Sequence, residues 1–371
     1  MQKLLPIAIL PLALLGCSSG MPEPGVPIDS PEGPALSEDQ YREQALTEMH
    51  ESLLAEVKTM RLAVTEIQSA APVPADRGWD AQKDAVAIAR MRDAWVRART
   101  AYEHVEGALA PLFPDIDFAI DARYDDFMTQ LAPKGGDADL FDGAGVTGMH
   151  AVERVLYADV IPARVVTFEK SLPGYVPAAF PATAEQAFSF KEDLCAQLIA
   201  DIETLEKQWT PANIHVAIAF QGLVMLVQEQ GEKVVKAASN EEESRYSQRT
   251  MADLRDNLAG ARRAYAMFRP WLLSKSSTVD PTRDGAVVDA KIEAGFDALE
   301  AAYTLVEGPS IPAPPVTWSA ENPSKDDLAS PFGRLYHTVH TAVDPTIAGS
   351  TVAQMNAAAK LLGFEVLGGG E

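Results

Sequence analysis

Apolar residues return every three to four positions through most of the chain beyond residue 37, and strand-like alternation is scarce. Stretches with this period run from about Ser37 to Ser69, Ala81 to Ala110, Thr147 to Tyr157, Glu185 to Gln208, Asn213 to Ala238, Thr250 to Leu273, Asp284 to Leu305, Asp326 to Ala342 and Val352 to Leu362. Such a period gives a helix one dry stripe and one wet face, so the helices must bury their stripes against each other. The pattern predicts an all-α chain of long helices packed as bundles. With 47% hydrophobic residues there is ample material for the core. Ser37-Glu38-Asp39-Gln40 has the form of a capping box for the first helix. Pro72 and Pro74 close that helix, and Pro111 closes the second. Pro/Gly-rich stretches at 172–183, 274–283 and 308–324 read as joints. They suggest a first bundle over residues 37–175 and a second over 176–371. Residues 111–145 stand out as rich in Asp, Gly and Pro with little period. An irregular stretch of that length inside a compact body is unusual and often functional.

The charge is lopsided, with 53 acidic against 31 basic side chains and a net of −22. Nucleic-acid binding needs Lys and Arg against phosphate, so that class is excluded. Much of the acid serves solubility, and an acidic surface also suits metal ions or cationic partners. The chain opens with Met1-Gln2-Lys3, an apolar run from Leu4 to Leu15, and then Leu14-Leu15-Gly16-Cys17. That run is too short to span a bilayer as an ordinary helix and reads as a secretory leader over residues 1–16. Its ending resembles the bacterial lipobox, which implies lipidation of Cys17 and membrane attachment through the acyl chains. Residues 17–36, with Pro, Gly and Ser and few apolar residues, read as a tether. Ser18 follows the cysteine where Asp commonly retains lipoproteins at the inner membrane. The expected destination is therefore the outer membrane or cell surface, with the periplasmic side as the alternative. The second cysteine, Cys195, lies in a helical pattern and reads as a buried, inert thiol.

Chemistry-bearing residues gather in two helical stretches and the loop between them. His150 and Glu153 are three apart in Gly148-Met149-His150-Ala151-Val152-Glu153-Arg154, a spacing that puts both on one helix face. Glu103 and Glu106 repeat the spacing in the preceding helix, and the loop supplies Asp115, Asp117, Asp121, Arg123, Asp125 and Asp126. Imidazole with several carboxylates is a nitrogen-and-oxygen ligand set that suits iron, zinc or manganese. Taken alone, a His-x-x-Glu spacing also arises on a solvated helix face. The chain lacks His-Glu-x-x-His and any glycine-rich phosphate loop, so neither a zincin geometry nor a nucleotide site is indicated. His337 and His340 form a separate pair, while His50, His104 and His215 read as structural. The acid run Asn240-Glu241-Glu242-Glu243 reads as a solvated loop.

The blocks Tyr102-Glu103-His104-Val105-Glu106, Ile120-Asp121-Ala122-Arg123-Tyr124-Asp125 and Thr147-Gly148-Met149-His150-Ala151-Val152-Glu153 follow in an order that resembles the imelysin-like family. This family, also called peptidase family M75, includes the periplasmic EfeO-type iron-uptake proteins. Its hallmark, Gly-x-His-x-x-Glu, is present as Gly148, His150 and Glu153. A second matching block runs Glu243-Ser244-Arg245-Tyr246-Ser247 and then Asp253-Leu254-Arg255-Asp256-Asn257-Leu258-Ala259-Gly260-Ala261. The likeness extends over roughly residues 40 to 365. The resemblance implies two helical bundles facing each other around a cleft. It implies a metal site of His150 and Glu153 with Glu106 and Asp121 as acidic partners. Glu103, Asp125, Arg123 and Arg154 would be additional ligands or groups that orient them. It further implies iron as the metal with zinc as the alternative, and an iron permease or other envelope uptake component as partner.

Three functions therefore compete. The first is a lipid-anchored envelope protein that captures or hands over iron through the His/carboxylate site. The second is a metal-free cleft or surface module for haem, glycan or protein ligands, which Trp79, Trp95, Trp209, Trp271 and Trp318 would line. The third and least favoured is a zinc-type metallopeptidase, in which the same metal activates water.

Overall fold

Ser37 starts the first helix as its sequence predicts. Its hydroxyl accepts from the Gln40 backbone N–H at 3.3 Å, and the Gln40 side chain accepts from the Ser37 N–H at 2.8 Å. The resulting helix α1 (Glu38–Ala70) buries Met49, Leu53, Val57, Met60, Val64 and Ile67 along one stripe. The structure is a computed structural model that describes residues 36–365. The expected leader, the lipidation at Cys17 and the tether up to residue 35 lie outside the described residues. All regular structure among the described residues is helical, as the periodicity requires.

α2 (Ala85–Glu103), α3 (Glu106–Leu112), α4 (Pro114–Asp121), α5 (Tyr124–Leu131), α6 (Gly148–Leu156) and α7 (Ala163–Glu169) follow. Then come α8 (Ala184–Ser189), a π-helical turn (Phe190–Leu194) and α9 (Cys195–Gln208). The remainder comprises α10 (Val216–Ser239), α11 (Thr250–Leu273), α12 (Gly285–Thr304), α13 (Lys325–Ala329), α14 (Pro331–Val343) and α15 (Thr351–Leu361). α1 packs on α2, α9 and α11, and α9 also touches α4 and α6. α10, α11, α12, α14 and α15 pack among themselves, and α3 leans on α10. Two groups of helices thus meet along α1–α11 and α3–α10. Residues 184–208, expected with the second bundle, pack with α1 and α4 of the first. Fully buried Trp95, Trp209, Trp271, Phe190, Phe220 and Phe268 anchor the interior. Cys195 is buried as expected, and desolvation pushes its thiol up, out of reach of thiolate chemistry.

Two departures from the periodicity shape the site. The single helix expected over 81–110 is broken at His104–Val105. There α11 crosses so closely that a Cβ on Gly260 would stand 2.6 Å from the His104 Cα. The Glu103 carbonyl freed by the break accepts from the Asn257 side chain at 3.2 Å. Residues 111–145 are irregular only in part, from about residue 135 onward, and the earlier portion forms two short helices. Pro114 starts α4, and the capping pair of Arg123 and Asp126 starts α5. Each helix has eight residues, so neither holds enough turns to show a period.

Candidate metal-binding cleft

α6 carries the hallmark residues, and it is buried along its whole length. Gly148 opens it with a φ of +87°, and a Cβ there would stand 2.8 Å from the carbonyl oxygens of Ala119 and Ile120. Only glycine tolerates both conditions. This close approach seats the start of α6 on the end of α4, which brings His150 to Asp121. The Trp95 indole donates to the Met149 carbonyl at 3.0 Å and ties the same turn to α2.

His150 is buried. Its Nδ1 lies 2.9 Å from Glu153 Oε2, and Glu153 Oε1 accepts from the Ser247 backbone N–H at 2.8 Å. Both carboxylate oxygens of Glu153 are thereby committed. Nε2 of His150 faces Asp121 Oδ1 at 3.4 Å and has no partner in hydrogen-bond geometry. Burial alone would push the His150 pKa down, but the carboxylates on its two nitrogens outweigh it and raise it to about 9.

Buried cations thread the neighbouring acids. Arg99 of α2 pairs with Glu103 and Asp121 and reaches Glu243 Oε1 at 2.9 Å. Lys233 of α10 lies 3.1 Å from Glu106 and 3.0 Å from Glu243. Asn257 of α11 accepts from Lys233 at 2.8 Å and donates to Glu106 at 2.7 Å. Burial would raise Glu243, yet Lys233, Arg99 and His150 hold it well below the usual carboxylate range. Asp121 is lowered against burial by Arg99 and then His150. Where such help is thin the opposite happens. Burial, with Asp121 nearby, raises Asp117 to about 8, and burial raises Glu229 and Asp253 to about 7.

Of these residues, Glu106, Asp117, Asp121, Glu229, Lys233 and Glu243 line a cleft of about 350 Å³. Glu106, Asp117, Asp121, Glu229, Glu232 and Glu243 make its lining acidic, with Arg123, Lys233 and Lys236 among them. Ligand atoms of Asp121, His150 and Glu243 lie within 4.8 Å of one another, as do those of Glu103, Glu106 and Glu243. An imidazole nitrogen with two carboxylates suits a transition metal, and an all-carboxylate set suits a harder cation.

The expected site residues separate into three groups. His150, Asp121, Glu106 and Glu103 come together, and Arg123 lines the same cleft. Glu153, expected as a ligand, instead holds the imidazole from behind. Asp125 and Arg154 point elsewhere. Asp125 pairs with Arg245 at 2.9 Å, and Arg154 pairs with Glu169 at 3.0 Å while lying over the Tyr124 ring. Glu242 and Glu243, expected in a solvated loop, are buried. The reason is that Arg99 and Lys233 receive Glu243, while Arg164 pairs with Glu242 at 2.6 Å. The signal for Glu243 and Asn257 was their place in the second matching block. Arg99 and Lys233 had none, because each sits in an ordinary helical period. His337 borders a different cavity, and His340 stacks on Tyr336 at 5.5 Å. None of the five tryptophans lines the acidic cleft.

The imelysin family model matches residues 39–308. The iron uptake system component EfeO of Yersinia pseudotuberculosis is 28% identical over 225 residues, which is 60% of this chain and 46% of that protein. The iron uptake system component EfeM of Pseudomonas syringae is 26% identical over 220 residues, 58% of this chain and 62% of that one. The chain thus spans about half the length of the EfeO relatives that it matches. An imelysin-like protein of Psychrobacter arcticum has a solved structure that superposes with a TM-score of 0.56 at 16% identity. The superposition covers 89% of this chain and 98% of that one, and it shows the shared helical fold.

Proposed function

The chain belongs to the imelysin family, and from that premise we propose that it is an envelope metal-binding protein that captures iron and hands it to an uptake component. One observation carries the reading. Behind the wall of an acidic cleft a fully buried histidine is held by Glu153 and turns its Nε2, without a partner in hydrogen-bond geometry, toward Asp121 and Glu243, which line the cleft. A carboxylate that fixes the tautomer of an imidazole and frees its other nitrogen is a recurring device behind metal-ligating histidines. In this reading His150, Asp121 and Glu243 bind the ion, and Glu106, with Glu103 behind it, supplies further oxygen. Arg123 and the acids of the rim set the field at the mouth. Iron as cargo and another uptake component as recipient are supported by the names of EfeO and EfeM as iron uptake system components. Attachment through lipid at Cys17 is part of the same proposal, and the mass of the mature N-terminal peptide tests it. No helix among the described residues is long and apolar enough to cross a membrane. The peptidase reading draws less support, since Glu153, the nearest carboxylate for a general base, is committed to His150 and Ser247.

Anaerobic titration of the purified protein with Fe²⁺, and with Zn²⁺ as a redox-inert probe, tests the assignment. Saturable uptake that is lost in both His150→Ala and Glu243→Gln, with the fold retained by circular dichroism, is the expected result. Uptake unchanged in both variants would sink the site.

A further inference from the structure

Next to His150 lies a second set of carboxylates, and the chain already fills it with a cation of its own. Lys233 Nζ stands 3.1 and 3.2 Å from the two Glu106 oxygens, 3.0 Å from Glu243 Oε2 and 2.8 Å from Asn257 Oδ1. These partners account for the three donors of an ammonium. Glu103 is served less well. It is fully buried, its Oε1 is paired with Arg99, and its Oε2 has no partner in hydrogen-bond geometry. The Lys233 ammonium faces its Oε2 at 3.9 Å, beyond hydrogen-bond length. An ammonium therefore serves this place incompletely. A metal ion, which takes four to eight ligands by type, can draw all three carboxylates in.

Glu243 belongs to both sets of ligand atoms. An ion held by Asp121, His150 and Glu243 thus competes with Lys233 for the charge of one carboxylate. The lysine has somewhere to go, because Glu229 sits one turn earlier on α10, also borders the cleft, and has the i,i+4 relation that favours a Glu–Lys pair. We propose that Lys233 is a tethered cation that occupies the Glu103–Glu106–Glu243 place in the metal-free protein and is displaced from it, toward Glu229, when a metal ion enters the cleft. Its return competes with the ion, which moderates affinity and eases release to a recipient. The inference rests on the reading of the cleft as a metal site and adds how that site is regulated.

Titration with Mn²⁺, a cation suited to oxygen ligands, tests it on the whole protein and on Lys233→Met. The variant is expected to bind Mn²⁺ at least about ten-fold more tightly, or to take up a second equivalent. Equal or weaker binding at unchanged stoichiometry overturns the proposal. Should Lys233→Met not fold, lysine acylation of the unmodified protein, read by peptide mass spectrometry, decides instead. Displacement predicts faster acylation of Lys233 with Mn²⁺ present, and an equal or slower rate overturns it. Protein that takes up no metal would sink the cleft reading itself. His150-dependent uptake with unaltered Lys233 behaviour would sink the tethered cation alone.

Discussion

Two buried polar networks meet on α6 at the adjacent residues Glu153 and Arg154. Arg154 faces one of them. Its guanidinium donates to both oxygens of Glu169 and to the Val176 carbonyl, and it lies 4.0 Å from the Tyr124 ring centroid, while the Tyr246 hydroxyl donates to the same Glu169. No polar side-chain atom of Arg154, Glu169 or Tyr246 is among the buried ones without a partner. Glu153 and His150 face the other network, where His150 Nε2 meets Asp121 only at 3.4 Å and Glu103 Oε2 meets Lys233 only at 3.9 Å, neither in hydrogen-bond geometry. Burying such atoms unpaired is unfavourable, so a folded chain keeps them only where something else compensates. The saturated network has no vacancy for a ligand and acts as a fastening. The unsaturated one is where the proposed metal ion would sit.

Arg154→Ala is the strongest test of this contrast. Breaking a buried pair and stranding Glu169 is expected to destabilise the fold by about 3–5 kcal/mol, read by chemical denaturation. The variant that does fold should bind metal as the parent does. A parallel loss of metal affinity would erase the distinction between the two networks. Glu153→Gln comes next. Loss of the group that orients a ligating histidine is expected to weaken metal binding about 10–100-fold, with a smaller change in stability than in Arg154→Ala. Unchanged affinity would make Glu153 a fastening as well.

The mildest effect concerns pH. Asp117 at about 8, and Glu229 and Asp253 at about 7, lie above their ordinary values of 3.8 and 4.5. The folded protein therefore keeps protons that the unfolded chain has shed. The stability these groups contribute is complete below about pH 4 and is lost as pH rises through 7 to 8. His150, raised from 6.5 to about 9, acts the same way, since its contribution is present below 6.5 and lost as pH rises through 9. Asp121 and Glu243, both lowered, favour the fold above their ordinary values and weaken it in acid. The melting temperature of the metal-free protein is expected to fall from about pH 6 to about pH 9, and saturating Zn²⁺ to restore it increasingly toward the upper end. A melting temperature flat over that range would show that the cleft carries no excess of proton affinity over the unfolded chain.

Much of this could be read along the chain. The all-α class follows from a periodicity that only packed helices satisfy, and Ser37 and Pro72 punctuate it where the residues themselves demand, whereas Pro111, expected to close the second helix, lies inside α3. His150 is singled out by its local spacing to Glu153, and Asp121 and Glu106 by the family blocks that carry them. The roles were less legible. Glu153 and Arg154 are adjacent and both looked like attendants of one site, yet α6 aims them at different networks. Glu243 looked like one charge in a solvated run, and Lys233 like an ordinary helical lysine.

Local sequence determined the helical class, the Ser37 cap and the chemical nature of the candidate site residues, because each depends on the residue itself or on neighbours within a turn or two. The tertiary structure alone decided which carboxylates converge and which cations answer them. Glu103, Asp121, Glu243 and Lys233 come from α2, α4, the segment after α10 and α10, and a Coulomb interaction at 3 Å is set by distance in space and not by separation along the chain.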